Sequence, residues 1–301
     1  MDAFRVYILG CGSAKPTTRH YPSSQVIDFR GNLFMVDCGE GAQMQFMRMR
    51  LKPNRLRHIF ISHLHGDHCY GLPGLLSTLS LGGIEGHVTV HLPEEGIRLL
   101  KPLIDYTSHD LQVEFAPYEY GSNIIYEDKS LTVSTVPLVH RMPCVGFIFR
   151  EKEKLRHLNR EMADFHQVPV AMLARIKAGE DYVKPDGTIV PNEILTTAPD
   201  PSRTYAYISD TLPLKAVINE IKDADLLYHE ATFMSDMHKR AKQTCHTTAK
   251  DAARIAAEAG VKQLVIGHFS SRYLDETPLL EEAQSVFPST VLAREGLILD
   301  V

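Results

Sequence analysis

Short apolar runs separated by polar and turn residues dominate the first sixty or so positions, at 4–9, 25–29, 32–37 and 58–62. Each is strand-length and rich in β-branched and aromatic residues, and Gly31 marks the turn between the second and third, so the pattern predicts a mixed sheet. Similar runs at 131–139, 204–209 and 263–267 predict further short buried strands, each followed by polar or turn residues. Between strands, Met44, Met47 and Leu51 recur at the spacing of one helix face. A helix over 42–51 is expected, with the methionines in the core and Arg48 and Arg50 off the buried side. A second helix is expected over 247–259, where Thr247 and Thr248 can cap the start and Gly260 can end it in a left-handed turn. His246 would then sit at a helix N-terminus, where the positive end of the dipole favours negative charge.

The segment 151–203 breaks this alternation. A polar, helix-permitting stretch at 151–167 leads into 168–179 and then into a turn-rich part containing Pro185-Asp186-Gly187 and Pro199-Asp200-Pro201. It reads as an inserted arm within one α/β domain spanning 1–301. A chain of 301 residues, 44% of them hydrophobic, is ample for a single large core. The net charge of −5 offers no global attraction to phosphate, so a nucleic-acid partner would need a local basic patch. The densest is Arg48, Arg50, Lys52, Arg55 and Arg57, which an ordinary solvated surface would also explain. The five cysteines are scattered and form no CxxC pair, which suggests neither a disulfide framework nor a thiolate metal site and fits a reducing cytoplasm. No leader-like start and no long apolar run is present, so a soluble, cytoplasmic protein without a membrane partner is expected.

Chemistry concentrates after the 58–62 run, in His63-Leu64-His65-Gly66-Asp67-His68. Imidazole nitrogen and carboxylate oxygen are ligands that zinc prefers, and a strand-end loop can present alternate side chains to one ion. Three further candidates stand where predicted strands end: His140, Asp210 and His268. Seven candidates exceed the needs of one tetrahedral ion and suit two, with a carboxylate able to bridge them.

The order HxHxDH, His, Asp, His resembles the metallo-β-lactamase superfamily. Within it, Leu226-Leu-Tyr-His-Glu-Ala-Thr232 and His246-Thr247-Thr248 resemble the HEAT and HST segments of the ribonuclease Z family, whose members trim the 3′ ends of tRNA precursors. The stretches 9–19, 37–41, 70–75 and 271–273 are also similar to the short form of that family, so the likeness covers essentially the whole chain. It implies an αββα sandwich of two mixed β-sheets flanked by helices, with the arm inserted. With the ligand chemistry, it implies two zinc ions per subunit: His63, His65 and His140 on one, Asp67, His68 and His268 on the other, and Asp210 between them. It further implies Asp67 as proton acceptor and His246, oriented by Glu230, as the acid that protonates the departing ribose oxygen. His229 is expected to be structural. A homodimer acting on precursor tRNA rather than DNA is implied, with the arm holding the tRNA elbow and Arg272 joining the RNA-contacting candidates. Three departures stand out: Ser209 before Asp210 where the family usually has glycine, Arg19-His20 in place of Arg-Asn, and Val168-Pro169-Val170 in place of a Gly-Pro motif. Asp37 would either support a ligand histidine or stabilise its own turn. The alternative is another dinuclear zinc hydrolase, of the cyclic-nucleotide phosphodiesterase, arylsulfatase or thioesterase type, since the same ions activate water toward carbonyl, sulfur or phosphorus. The HEAT-like and HTT segments favour the ribonuclease. A metal-stabilised binding protein would lack ligands or the acid histidine.

Overall fold

A computed structural model describes residues 3–84, 86–108 and 110–301. In chain order, β1 (Phe4–Gly10), β2 (Ser24–Phe29), β3 (Asn32–Cys38), β4 (Leu56–Phe60), β5 (His87–Leu92) and β6 (Gln112–Pro117) precede β7 (Ile124–Glu127), β8 (Leu131–Leu138) and β9 (Cys144–Glu151). Four two-residue strands follow, β10 (His157–Leu158), β11 (Tyr182–Val183), β12 (Ile189–Val190) and β13 (Thr196–Thr197). Last come β14 (Thr204–Ile208), β15 (Leu226–Glu230), β16 (Gln263–Gly267), β17 (Thr290–Leu292) and β18 (Ile298–Asp300).

Two seven-stranded sheets result, ordered β18-β1-β2-β3-β4-β5-β6 and β17-β16-β15-β14-β9-β8-β7. Antiparallel pairing at β1–β2–β3 gives way to parallel pairing at β3–β4–β5–β6, and β14–β15–β16–β17 are parallel throughout. These two layered sheets with helices outside them agree with the αββα sandwich that the resemblance implies.

The strand sequences explain the layering. In β3, Leu33, Phe34, Met35 and Val36 are all buried, the continuous apolar run of a strand covered on both faces. One face packs on the helices Ala42–Arg48, Leu72–Leu81 and Glu94–Thr107, where Met35, Phe46, Leu75, Leu76 and Ile104 share a core. The other face meets the second sheet through an aromatic layer, with Phe34 against Phe149 and Phe60 against Phe147 at ring separations of 6.2 and 5.6 Å. Two polar ties cross the same layer: Tyr207 Oη donates to Asp37, and Tyr205 Oη to Gln25. Outside the second sheet, the helix Ala249–Ala259 lies on β15 and β16.

The helix at Ala42–Arg48 departs from the expectation in both length and face. It stops at Arg48, with Arg50 in the left-handed region at φ 54°. It buries Ala42, Gln45 and Phe46, while Met44 and Met47 are 47% and 58% exposed, so they are not core residues. The i, i+3 spacing identified a helix but not its buried stripe, which Phe46 and the small Ala42 take. The Ala249–Ala259 helix is capped by Thr248, whose side chain accepts from Asp251 N, and it ends at Gly260 with φ 67°. His246 therefore precedes the cap rather than opening the helix, and its backbone N–H donates instead to Ala241 O at the end of the helix His238–Thr244.

The chain divides into two compact units. One takes in the chain up to Tyr126, Val133–Phe149 and Thr204–Val301; the other comprises Glu127–Thr132 and Arg150–Arg203. Within the second, β10 pairs with β13 and β11 with β12, around a small core of Ile176, Tyr182, Val190 and Leu195. Helix in the 151–167 stretch is confined to Arg160–Phe165, capped by the Asn159 side chain. Five of this unit's cations are paired with carboxylates: Lys152 with Glu127, Lys154 and Arg203 with Glu151, Arg160 with Asp164, and Arg175 with Glu180.

Candidate metal centre

The candidate ligands stand where strands of both sheets end. His63, His65, Asp67 and His68 follow β4, His140 follows β8, Asp210 follows β14 and His268 follows β16, the edge where open α/β sheets place their sites. Asp210 and His268 adopt left-handed backbone, at φ 58° and 59°, which turns each side chain inward immediately after its strand. For residues other than glycine this costs about 1–3 kcal/mol each, a strain that collects at functional sites. Ser209 does not share that conformation, so glycine is unnecessary there, and its hydroxyl donates to Asp210 Oδ2 at 2.9 Å.

Two ligand groups form, His63, His65, His140 and Asp210 in one, and Asp67, His68 and His268 in the other, with donor atoms within 4.8 Å of one another in each. In the first, His65 Nδ1 lies 3.0 Å from His63 Nε2 and 3.2 Å from His140 Nε2. Asp210 spans both groups: Oδ1 is 3.6 Å from His140 Nε2, while Oδ2 is 3.0 Å from His68 Nε2 and 3.3 Å from His268 Nε2. Asp67 Oδ2 is 3.6 Å from the same two nitrogens. Bonds of about 2.0–2.1 Å at a tetrahedral angle separate ligand atoms by about 3.3 Å, so these spacings suit metal ions.

Hydrogen bonding agrees. His68 Nε2 and His268 Nε2 are buried and make no aligned hydrogen bond among the described residues, although both lie at ion-pair distance from Asp210, an arrangement that suits ligands of a shared cation. The opposite nitrogens are engaged: His63 Nδ1 with Ser62 Oγ, His68 Nδ1 with Asp37, His140 Nδ1 with Cys245 O, and His268 Nδ1 with Thr232 Oγ1. Such partners fix ring orientation in metal sites. Of the two roles expected for Asp37, the hydrogen bonds bear out support of a ligand histidine. Its carboxylate accepts from Ser62 N, Ser62 Oγ, Tyr207 Oη and His68 Nδ1, while its own backbone is left-handed at φ 56°.

Electrostatics divide the imidazoles, favouring the neutral form in three of them. Burial pushes His63, His65 and His140 below the ordinary histidine value. Burial opposes the charge on Asp210, yet His268 and His68 overcome it and hold the carboxyl well below the usual range. Burial likewise opposes protonation of His68, but Asp210, Asp37 and Asp67 outweigh it and raise His68 above the ordinary histidine value.

His246 and Glu230 stand beside this cluster. His246 Nδ1 is 3.0 and 3.1 Å from the two oxygens of Glu230, which also accepts from Thr211 N, Thr232 Oγ1 and Thr247 N. Burial works against charge on both residues, but their mutual attraction lowers Glu230 and pushes His246 up to about 9. His229 faces elsewhere, fully buried with Nδ1 donating to Glu230 O.

An open cavity of about 570 Å³ lies over the cluster, lined by His65, Asp67, His140, Asp210, His246 and His268. Asp67 Oδ2 accepts from Ala14 N at 2.7 Å. Of the basic candidates expected from the sequence, Arg272 lines this cavity, and three cations that the sequence pattern does not single out join it: Lys15, Arg141 and Arg240. Lys15 and Arg141 stand alone on loops and leave no local charge run to find, whereas Arg240, in the helix His238–Thr244, has Lys239 and Lys242 beside it as a signal. Arg48, Arg50, Lys52, Arg55 and Arg57 are all exposed; Arg55 and Arg57 stand at the start of β4, the strand whose other end leads to His63.

The profile of a family described as Anti-Pycsar protein Apyc1 matches residues 4–95. The chain is 53% identical over 304 aligned residues to ribonuclease Z of Bacteroides fragilis, with all of both chains covered. Among solved structures, the short form of human tRNase Z (ELAC1) superposes with a TM-score of 0.69 at 24% identity, covering 98% of each chain. The metallo-β-lactamase fold protein YhfI of Bacillus subtilis superposes with a TM-score of 0.72 at 18% identity over the whole of both chains.

Proposed function

The chain belongs to the ribonuclease Z family, and from that premise we propose that it is a metal-dependent endoribonuclease that removes 3′ trailers from tRNA precursors. Cleavage leaves a 3′-hydroxyl on the tRNA and a 5′-phosphate on the trailer. The observation that carries this reading is the His246–Glu230 pair beside the ligand cluster, because a ribose oxygen leaves poorly unless it is protonated.

The residues present fit two zinc ions, held by His63, His65 and His140, by Asp67, His68 and His268, and by Asp210 between them. Bound there, the ions would supply an activated water near neutral pH and polarise the scissile phosphate. The protein's own part is proton handling and positioning. Asp67, lining the cavity with Oδ2 fixed by Ala14 N, takes the proton of the attacking water. His246 donates from Nε2 to the departing ribose oxygen, while Nδ1 stays on Glu230; Glu230 is a positioning residue that keeps the imidazole charged and aimed. Lys15, Arg141, Arg240 and Arg272 bind the phosphates that flank the scissile bond.

Arg48, Arg50, Lys52, Arg55 and Arg57 form an exposed face that holds the body of the RNA away from the cavity. The unit containing residues 150–203 serves as the arm for the tRNA elbow, and the enzyme works as a homodimer in the cytoplasm. Supporting the latter, no helix among the described residues is long and apolar enough to cross a membrane, and the five cysteines are unpaired. The test is incubation of the zinc-loaded protein with a 3′-extended tRNA precursor, a cyclic nucleotide and a thioester. A single cut after the discriminator nucleotide is expected, with mapped ends as stated; turnover of either control with none of the precursor would overturn the reading.

A further inference from the structure

The loop between β1 and β2 brings Lys15 to the cavity, and its attachments are unusual. At its base Ser13 is fastened twice, N and Oγ each donating to Phe269 O at 3.1 Å, and Gly12 N donates to Tyr21 O at 2.9 Å. Beyond Ala14 the backbone bonds turn inward: Lys15 N donates to Ser13 O and Thr17 N to His20 O, while Thr17 Oγ1 accepts from Arg19 N and His20 N. The tip is tied to other segments by side chains. Arg19 donates to Leu274 O, Tyr273 O and Glu276 Oε1. His20, with a side chain 15% exposed, sets Nδ1 3.1 Å from Glu295 Oε2 and Nε2 3.3 Å from Glu276 Oε1.

We propose that His20 is a positioning residue for substrate: clamped between Glu276 and Glu295, it holds the loop carrying Lys15 in register with the segment carrying Arg272. The proposal rests on the reading of the cavity as the RNA site. Both ring nitrogens face carboxylates, which only accept, so the imidazole has to donate twice and carry charge. The hydrogen bond to Glu295 raises His20 above the ordinary histidine value, against burial and with the help of Glu276. Glu276 also sits immediately before the helix Thr277–Gln284, four residues after Arg272, so one imidazolium joins two walls of the cavity.

Cys11 Sγ, 3.4 Å from His20 Nδ1, makes this group look like a metal site, yet its hydrogen bonding is complete. Glu295 Oε1 accepts from Tyr21 N and Oε2 from His20, and the Cys11 thiol, pushed well up by burial, donates to Ala293 O. No nitrogen of His20 is left over, in contrast to His68 and His268. The group is an ion-pair network.

The test compares His20→Asn and Glu276→Gln with the wild type, all zinc-loaded. Residues in one ion-pair network couple strongly, so each substitution is expected to raise KM for the tRNA precursor about tenfold while kcat changes by less than about twofold. Hydrolysis of bis(p-nitrophenyl) phosphate and zinc content should stay at wild-type level, because Ser13 anchors Ala14, and hence Asp67, independently of His20. Hydrogen exchange of the 15–20 amides should quicken. Lys15→Ala should raise KM in the wild type but add little in the His20→Asn background. Fully additive effects of Lys15→Ala and His20→Asn, or equal losses on both substrates, would overturn the proposal. No cleavage of precursor by the wild type would instead defeat the ribonuclease reading, and amide exchange would still decide whether His20 holds the loop.

Discussion

Glu230 receives His246 Nδ1 on both carboxylate oxygens, at 3.0 and 3.1 Å, from a position where neither oxygen reaches solvent. Three further donors hold that carboxylate in place, so it cannot follow the imidazole if the latter moves. The pair has the geometry of an acid with an orienting partner.

His246→Ala is therefore expected to keep both zinc ions and the fold but slow precursor cleavage by about 10²–10⁴-fold, the usual worth of general acid catalysis. Hydrolysis of bis(p-nitrophenyl) phosphate, whose leaving group needs no proton, should fall far less. Glu230→Gln should follow the same pattern more mildly. Parallel kinetics and metal analysis check this; equal losses on both substrates would mean that His246 positions rather than protonates.

Asp210 turns one oxygen to His140 and the other to His68 and His268. Metal analysis of the native protein should find about two zinc ions per chain, and Asp210→Ala should lower both occupancies. Retention of one full site in the variant would mean that Asp210 belongs to a single ion. Asp37→Asn should weaken chiefly the site containing His68, by about 10–100-fold in affinity, as partners of ligand histidines do.

Two sets of cations should separate experimentally. Arg141→Ala and Arg240→Ala, at the cavity, should raise KM both for the precursor and for a short RNA that spans the cleavage site. Combined neutralisation of Arg48, Arg50 and Lys52 should weaken precursor binding and flatten its salt dependence by about 0.7–0.9 in slope for each phosphate no longer neutralised, with the short RNA unaffected. An unchanged salt slope would remove that face from the RNA path.

The His91–His58 pair predicts acid sensitivity. His91 is nearly buried, stacked on Phe60, with Nε2 3.0 Å from His58 Nδ1, and burial followed by the neighbouring His58 drops it to about 3. An unfolded chain takes up that proton near pH 6.5, whereas the folded one refuses it until far lower pH. The unfolded state then binds more protons between those values, so stability falls as pH falls, by at most about 1.4 kcal/mol per pH unit from this residue. Melting of metal-stripped protein between pH 7 and 4 should show a shallower decline in His91→Gln than in the wild type. Parallel curves would show that His91 takes up its proton in the folded state.

Much of this protein is legible along the chain because its chemistry follows its strands. Apolar runs mark where β4, β14 and β16 lie, and His63, Asp210 and His268, one to three residues beyond their ends, come together in the structure. Local pattern works there because the parallel strands β14 and β16 end at one edge of their sheet, and the ligand spacings put the end of β4, in the other sheet, beside that edge. Pattern fails where neighbours from distant sequence decide. The spacing of Met44 and Met47 is helical, but which stripe is buried depends on the sheet beneath, and Phe46 occupies it. Asp37 precedes Ser62 and His68 by 25 and 31 positions, so only the packing of β3 beside β4 makes it their acceptor. Lys15, Arg141, Arg240 and Arg272 are far apart in sequence and become one group only because three loops and the helix His238–Thr244 converge over the metal ligands. The pattern of residues determines which segments become strands and which groups can bind metal. Sheet register and loop anchorage, set by long-range burial and hydrogen bonding, determine which charges face each other and hence which of them can act.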